Sequence, residues 1–79
     1  MTNSEFRALR CEAGLTQARV AVRAEVDRTR LCMWEVGDLT LRGEEVDALS
    51  RAINDLIAER AQHLTKLLTS FESRQVTAG

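Results

Sequence analysis

The clearest structural signal in the chain is the stretch at residues 14–37, which reads GLTQARVAVRAEVDRTRLCMWEVG. Thr16 can cap a helix by accepting a hydrogen bond from its first turn, and Asp27 can cap a second helix after a short break. Residues 19–23 could be read as a strand, but they are too few to outweigh the cap. Gly37 can end the second helix, because glycine adopts a left-handed backbone without steric cost. We therefore predict two short helices joined by a tight turn.

The apolar residues of these two helices recur at helical spacing, so each helix has one face for a common core. In the first helix these residues are Val20, Ala21 and Ala24, and in the second they are Leu31 and Trp34. Two short helices that pack at a steep angle across a tight turn form a helix-turn-helix motif. The stretch predicts this motif over residues 16–37.

A further helix is predicted before the motif. Asn3 or Ser4 can cap it, and Gly14 can end it in the left-handed conformation. Its apolar face carries Phe6, Leu9 and Ala13.

After the motif, residues 38–43 read as a loop, and helical periodicity resumes from residue 44 to about residue 72. Asn54 and Asp55 could interrupt it, because Asn can end a helix and Asp can begin one. The pattern leaves open whether this region forms one helix or two. Its apolar residues are Val46, Leu49, Ile53, Leu56, Ile57, Leu64, Leu67, Leu68 and Phe71.

The length and composition of the chain limit the size and class of fold that it can form. The chain has 79 residues, of which 44% are hydrophobic and 29% are charged, and it contains no proline. We predict an all-α fold, a compact domain of four to five helices with an extended C-terminal helix. Its expected parts are a head at residues 1–55, an amphipathic dimerisation helix at residues 56–72 and a flexible tail at residues 73–79.

The charge balance is unusual for a nucleic-acid-binding protein, which is ordinarily basic. The formal net charge is −1, and residues 1–43 carry seven arginines against six acidic residues. Any affinity for DNA would therefore depend on where the arginines lie, with little long-range attraction from the net charge.

Enzymatic and metal-binding functions find no support in the sequence. Cys11 and Cys32 have no second pair of cysteines and no nearby histidines, so they do not predict a zinc site. His63 is a lone histidine, and no nucleophile has a base at a meaningful spacing. We expect no catalysis, no cofactor and no metal. The two thiols and the lack of a signal peptide or membrane-spanning run predict a cytoplasmic protein.

Residues 4–53 resemble the Cro/lambda-repressor (XRE) family of helix-turn-helix DNA-binding proteins. The matching positions are Leu9-Arg10, Ala13 to Gln17, Val20-Ala21, Val26, Leu31, Trp34-Glu35 and Gly37. The resemblance implies a lambda-repressor-like domain that binds double-stranded DNA and regulates transcription. The second helix of the motif would lie in the major groove with its N-terminal residues toward the base edges.

The resemblance also implies roles for individual residues. Those expected to face the bases are Arg28, Thr29, Cys32 and Met33. Those expected to contact phosphates are Gln17, Arg30 and Arg42. Arg28 alone among the base-facing residues has a rigid two-pronged donor that matches guanine O6 and N7. The other base-facing side chains suit thymine methyl groups.

The resemblance implies a structural ion pair between Arg10 and Glu35, which stand where this family places one.

Two positions depart from the family pattern. The turn position that is ordinarily glycine is Glu25, which would be strained at a positive φ. The loop at residues 38–43 is nearly neutral where the family has a basic loop. Fewer phosphate contacts predict weaker non-specific binding and a shallower dependence on salt.

The apolar stripe near the C-terminus is longer than the head needs. The last helix could fold back on its own core or pack against the same helix of a second chain, and of these we predict a homodimer. Arg60 and His63 interrupt a strict heptad continued from Val46, whereas a stripe shifted from Ile57 onward is more regular. The expected dimerisation residues are Leu56, Ile57, Leu64, Leu67, Leu68 and Phe71. A two-fold dimer would match a palindromic operator with half-sites about 34 Å apart.

Three functions are compatible with these observations. The first is a dimeric repressor that regulates its own promoter, and the second is an antitoxin whose C-terminal helix binds a protein partner. The third is a structural module that has lost DNA binding. A repressor would require Arg28 and dimerise alone, whereas an antitoxin would leave its C-terminal helix uncovered until the partner binds.

Overall fold

The computed structural model describes the backbone of residues 1–78 and the side chains of residues 1–72. It contains four helices, which are α1 (Asn3–Glu12), α2 (Gln17–Ala24), α3 (Arg28–Glu35) and α4 (Gly43–Ala78). The described residues form no strand, so the all-α prediction is confirmed. The flexible tail predicted at residues 73–79 lies outside the residues with described side chains.

The three short helices begin at side-chain caps. Thr16 accepts a hydrogen bond from the Arg19 amide at 3.1 Å, and Asp27 accepts one from the Arg30 amide at 3.3 Å, as predicted. The cap predicted for α1 was wrong, because Thr2 fills this role and accepts from the Glu5 amide at 3.1 Å. Asn3 instead donates from its side chain to the carbonyl of Trp34, which fastens α1 to the end of α3.

Three residues with positive φ separate the short helices and the loop. Gly14 has φ +70° and Gly37 has φ +88°, as expected of glycines that end helices. Glu25 ends α2 with φ 59° and ψ 38° in the left-handed region. The turn is closed by hydrogen bonds from the amides of Glu25 and Val26 to carbonyls of α2. The turn therefore has the left-handed conformation that glycine ordinarily adopts at this position. Because Glu25 has a Cβ atom, its backbone is strained in this conformation.

We expect Glu25→Gly to stabilise the protein. A left-handed backbone costs an L-residue about 1–2 kcal/mol, and glycine avoids this cost but loses more backbone entropy on folding. The net gain should be about 1 kcal/mol, or roughly 4–8 °C in Tm. Thermal unfolding of Glu25→Gly and Glu25→Ala would test this. Equal gains from both would contradict it, because alanine keeps the steric cost.

The core lies where α1, α2 and α3 meet the first part of α4. Trp34 packs inward against Phe6 with ring centroids 5.3 Å apart, so its predicted place in the core is confirmed. Leu41 folds in from the loop before α4. The buried hydrophobic residues are Phe6, Leu15, Val20, Ala21, Leu31, Trp34, Leu41, Leu49, Ala52, Ile53 and Leu56.

The region after the loop is a single helix that begins at Gly43. Asn54 and Asp55 do not interrupt it, and both are exposed on its solvent side. The domain boundary predicted after residue 55 falls inside this helix and stays a prediction. The molecule measures 57 × 18 × 18 Å, since α4 continues well beyond the core that its first part helps to form.

The structure corrects one of the predicted dimerisation residues. Leu56 is only 4% exposed and belongs to the core of its own chain. Ile57 is half-buried at the edge of that core. The apolar residues that α4 leaves uncovered lie further along, at Leu64, Leu67, Leu68 and Phe71.

Candidate nucleic-acid interface

Helix α3 divides its side chains between the core and solvent. Leu31, Trp34 and Glu35 are buried. Arg28 and Thr29 are exposed in its first turn, and Cys32 and Met33 are exposed one turn later. This follows from the helical period, which brings residues three and four apart onto one face.

Helix α2 adds Gln17 to this exposed face. A shallow depression of about 270 Å³ is lined by Gln17, Arg28, Thr29, Cys32 and Met33. The structure therefore brings together five of the residues that the sequence nominated for DNA contact. They combine one guanidinium, one amide, one hydroxyl and two sulfur-containing side chains.

The ion pair between Arg10 and Glu35 lies beneath this face. Arg10 donates from Nε and Nη2 to the two carboxylate oxygens of Glu35, each at 2.8 Å, and from Nη1 to the carbonyl of Leu15 at 2.9 Å. The two side chains are 12% and 1% exposed. The pair joins α1 to α3 and to the loop before α2, so it helps to hold α3 in its position against α1.

Gln17 is tied to the same network. Its side-chain nitrogen donates to Oε1 of Glu35 at 3.0 Å, a role that the sequence reasoning did not foresee. Burial alone would raise the pKa of Glu35, but the hydrogen bonds from Arg10 and Gln17 oppose it, and the pKa is lowered. The carboxylate is therefore kept charged, and Gln17 is held in place at the first turn of α2.

Arg30 and Arg42 lie at the other end of the candidate surface, beside the start of α4. Arg30 forms an ion pair with Glu45, with Nη2 at 2.9 Å from Oε1 and Nε at 3.2 Å from Oε2. The Arg42 amide donates to the same carboxylate, and the Arg42 side chain is exposed. The hydrogen bond from Arg30 lowers the pKa of Glu45 most strongly. Arg30 is thus already neutralised within the chain, whereas Arg42 points into solvent.

The described side chains, those of residues 1–72, contain no group of three or more histidine, cysteine or acidic residues able to hold a metal ion. Cys11 and Cys32 are exposed free thiols. None of the described helices is both long enough and apolar enough to cross a membrane.

The architecture of α2 and α3 is that of a helix-turn-helix protein. A comparison with protein families matches residues 6–56, more than half of the chain, to a family described as helix-turn-helix. The chain belongs to the Cro/lambda-repressor-type (XRE) helix-turn-helix family. Comparisons with curated proteins and with solved structures gave no significant match. The family is one of DNA-binding transcription regulators, not of enzymes, and the chain is a DNA-binding regulator of this type.

Proposed function

We propose that the protein is a homodimeric repressor that binds a palindromic operator through the major groove. The observation that supports this most directly is the exposed face of α3. It presents Arg28, Thr29, Cys32 and Met33 around one depression, with Gln17 of α2 at its edge. A helix presented in this way suits the major groove, which is wide enough to admit it.

The exposed side chains suggest a division of roles on DNA. Arg28 reads guanine through O6 and N7, while Thr29, Cys32 and Met33 contact thymine methyl groups. Gln17 and Arg42 bind phosphates on either side of the groove. Arg30 contributes to phosphate binding only to the extent that DNA competes with Glu45 for its guanidinium group.

The exposed stripe of α4 supports the homodimer. Leu64, Leu67, Leu68 and Phe71 are each between 54% and 58% exposed. A contiguous apolar surface on a small protein ordinarily marks an interaction site. A two-fold dimer would present two copies of α3 to two half-sites about 34 Å apart. Occupying a promoter in this way would block transcription.

Selection of random duplex DNA by the purified protein would test the proposal. We expect an enriched palindrome whose half-sites are one helical turn apart. Enrichment of a single half-site would support recognition of bases by the protein but contradict a palindromic operator bound by a dimer. No enrichment by a protein that is folded according to circular dichroism would overturn the repressor.

A second candidate is an antitoxin whose C-terminal helix binds a toxin. The half-exposed apolar stripe of α4 favours it, because a protein partner could cover this surface instead of a second copy. Sedimentation of the protein alone separates the two candidates. A stable dimer favours the repressor, and a monomer at every concentration favours the antitoxin.

We expect Glu45→Gln to strengthen binding to DNA of random sequence. The substitution removes the carboxylate that neutralises Arg30, so its guanidinium group becomes available to a phosphate. One added phosphate contact in each subunit should steepen the slope of log affinity against log salt by about 0.9 per subunit, or about 1.8 for the dimer. Fluorescence anisotropy with a labelled duplex at several salt concentrations would measure both quantities.

The matched control is Glu44→Gln, which makes the same charge change at the adjacent, exposed position. We expect it to raise affinity slightly through net charge and to leave the slope almost unchanged. The same slope in both variants would show that Arg30 does not reach a phosphate.

A further inference from the structure

The part of α4 beyond the head has a cleft at one end of its apolar stripe and an aromatic ring at the other. The cleft has a volume of about 360 Å³ and lies between α4 and the end of α1. Phe71 stands at the far end of the stripe and is 56% exposed. The residues that line the cleft include Ala13 at the end of α1 and Ile57, Arg60 and Leu64 of α4.

The stripe is self-complementary about Leu64. Ile57, at the cleft, comes seven residues before Leu64, and Phe71 comes seven residues after it. Seven residues are two helical turns, so both lie on the same face, each about 10 Å from Leu64. If two copies of α4 cross antiparallel at Leu64, each Phe71 reaches the Ile57 of the other copy.

We propose that the protein dimerises by antiparallel pairing of α4, with the partner's Phe71 seated in the cleft beside Ile57. The proposal rests on the homodimer proposed above and specifies its geometry. The occupant is a second copy because the chain itself carries both the cleft and the ring, at matching distances from one point.

The position of Arg60 favours the antiparallel arrangement over the parallel one. Arg60 lies within the stripe, three residues after Ile57, and donates from Nη1 to the carbonyl of Ala13 at 2.6 Å. In a parallel pair it would oppose the same cation of the other copy, which is unfavourable. In an antiparallel pair it opposes Leu68, against which its aliphatic stem can pack. Its guanidinium group then lies at the cleft, where it can attract the face of the phenylalanine ring.

The spacing of the two heads also favours the antiparallel arrangement. The residues that α4 contributes to the core are Leu49, Ala52, Ile53 and Leu56. Their midpoint lies about 17 Å before Leu64 along the helix, so antiparallel pairing separates the two heads by about 35 Å along this axis. One turn of DNA separates half-sites by about 34–36 Å. A parallel pair would set the heads side by side, where the 18 Å width of the molecule limits their separation.

A distance measurement on the full-length chain tests the arrangement. A spin label on Glu44→Cys, in a background of Cys11→Ser and Cys32→Ser, reports the separation between the two starts of α4 by double electron–electron resonance. Residue 44 lies twenty residues before Leu64. We therefore expect a label separation of about 60 Å in the antiparallel dimer and less than about 30 Å in a parallel one.

The ring is tested separately with Phe71→Ala in analytical ultracentrifugation. We expect the dimer Kd to rise by roughly 100-fold while the circular dichroism spectrum of the head is retained. The control is Thr69→Ala, on another face of α4, which should leave the Kd unchanged. An unchanged Kd for Phe71→Ala, or a monomeric parent protein, would overturn the proposal.

The outcomes also separate this proposal from the proposed function. A short label separation, together with a parent protein that still selects a palindrome, would overturn only the antiparallel arrangement. A separation near 60 Å, together with a parent protein that selects no palindrome, would support this arrangement and count against the operator.

Discussion

Replacing Glu35 with alanine is expected to leave the protein at most marginally stable at room temperature. The substitution removes the carboxylate that binds Arg10 at two points and also accepts from Gln17. Breaking a buried pair from one side costs about 3–5 kcal/mol, because the remaining charge is buried without a partner. A small domain has a total stability near 5 kcal/mol, at the low end for folded proteins. The expected fall in Tm is therefore roughly 12–40 °C.

Two further variants separate the effect of the buried pair from a general effect of lost charge. Glu59→Ala breaks the exposed pair in which Arg23 Nη2 lies 2.6 Å from Glu59 Oε1, and it should change the Tm little. Arg10→Met combined with Glu35→Leu replaces both buried charges and should recover most of the stability, because apolar side chains of similar volume need no partner. Equal losses from Glu35→Ala and Glu59→Ala would contradict the central role of the buried pair.

The pH dependence of unfolding gives an independent measure of the same pair. The pKa of Glu35 in the folded protein is lowered from its ordinary value of 4.5. A lowered pKa stabilises the fold at pH values above 4.5, and this contribution is lost as the pH falls through the folded-state value. Urea unfolding should therefore show a steeper decline below about pH 4.5 in the parent than in the double variant.

The parts of the fold that local sequence determines were predicted well. Thr16 and Asp27 cap their helices, and the break at Gly14 follows from the need for a left-handed residue. The cap of α1 was predicted wrongly because Thr2, Asn3 and Ser4 are all good cap residues, and local propensity does not choose among them. Only the bond from Asn3 to the end of α3, a tertiary contact, fixes the register.

Features that depend on tertiary packing were harder to derive. The apolar pattern of α4 is continuous, so it does not indicate where the helix extends beyond the head. Leu56 was therefore assigned to the dimer interface, although it is buried in the core of its own chain. The outward face of α3 was derivable, because placing Leu31 and Trp34 in the core determines which residues remain exposed. The pairing of Arg30 with Glu45 was not, because it spans fifteen residues across a loop and neither residue type identifies the other.

Replacing Arg28 with alanine is expected to abolish the preference for the selected operator while leaving the fold intact. Arg28 is exposed in the first turn of α3, so its loss removes no core contact. A bidentate contact to guanine discriminates by about 1–3 kcal/mol, and a dimer loses two of them. The expected loss of about 2–6 kcal/mol corresponds to at least a 30-fold weaker affinity for the operator.

Anisotropy titrations with the selected operator and with a scrambled duplex distinguish base reading from simple attraction to phosphate. Arg28→Ala should lose affinity for the operator far more than for the scrambled duplex. Arg28→Lys keeps the charge without the planar fork and should recover only part of the discrimination. Arg51→Ala removes the same charge from an exposed position on α4 and should weaken both duplexes slightly and equally. Equal losses on both duplexes for Arg28→Ala would mean that Arg28 binds a phosphate and that sequence is read by the neighbouring side chains of α3.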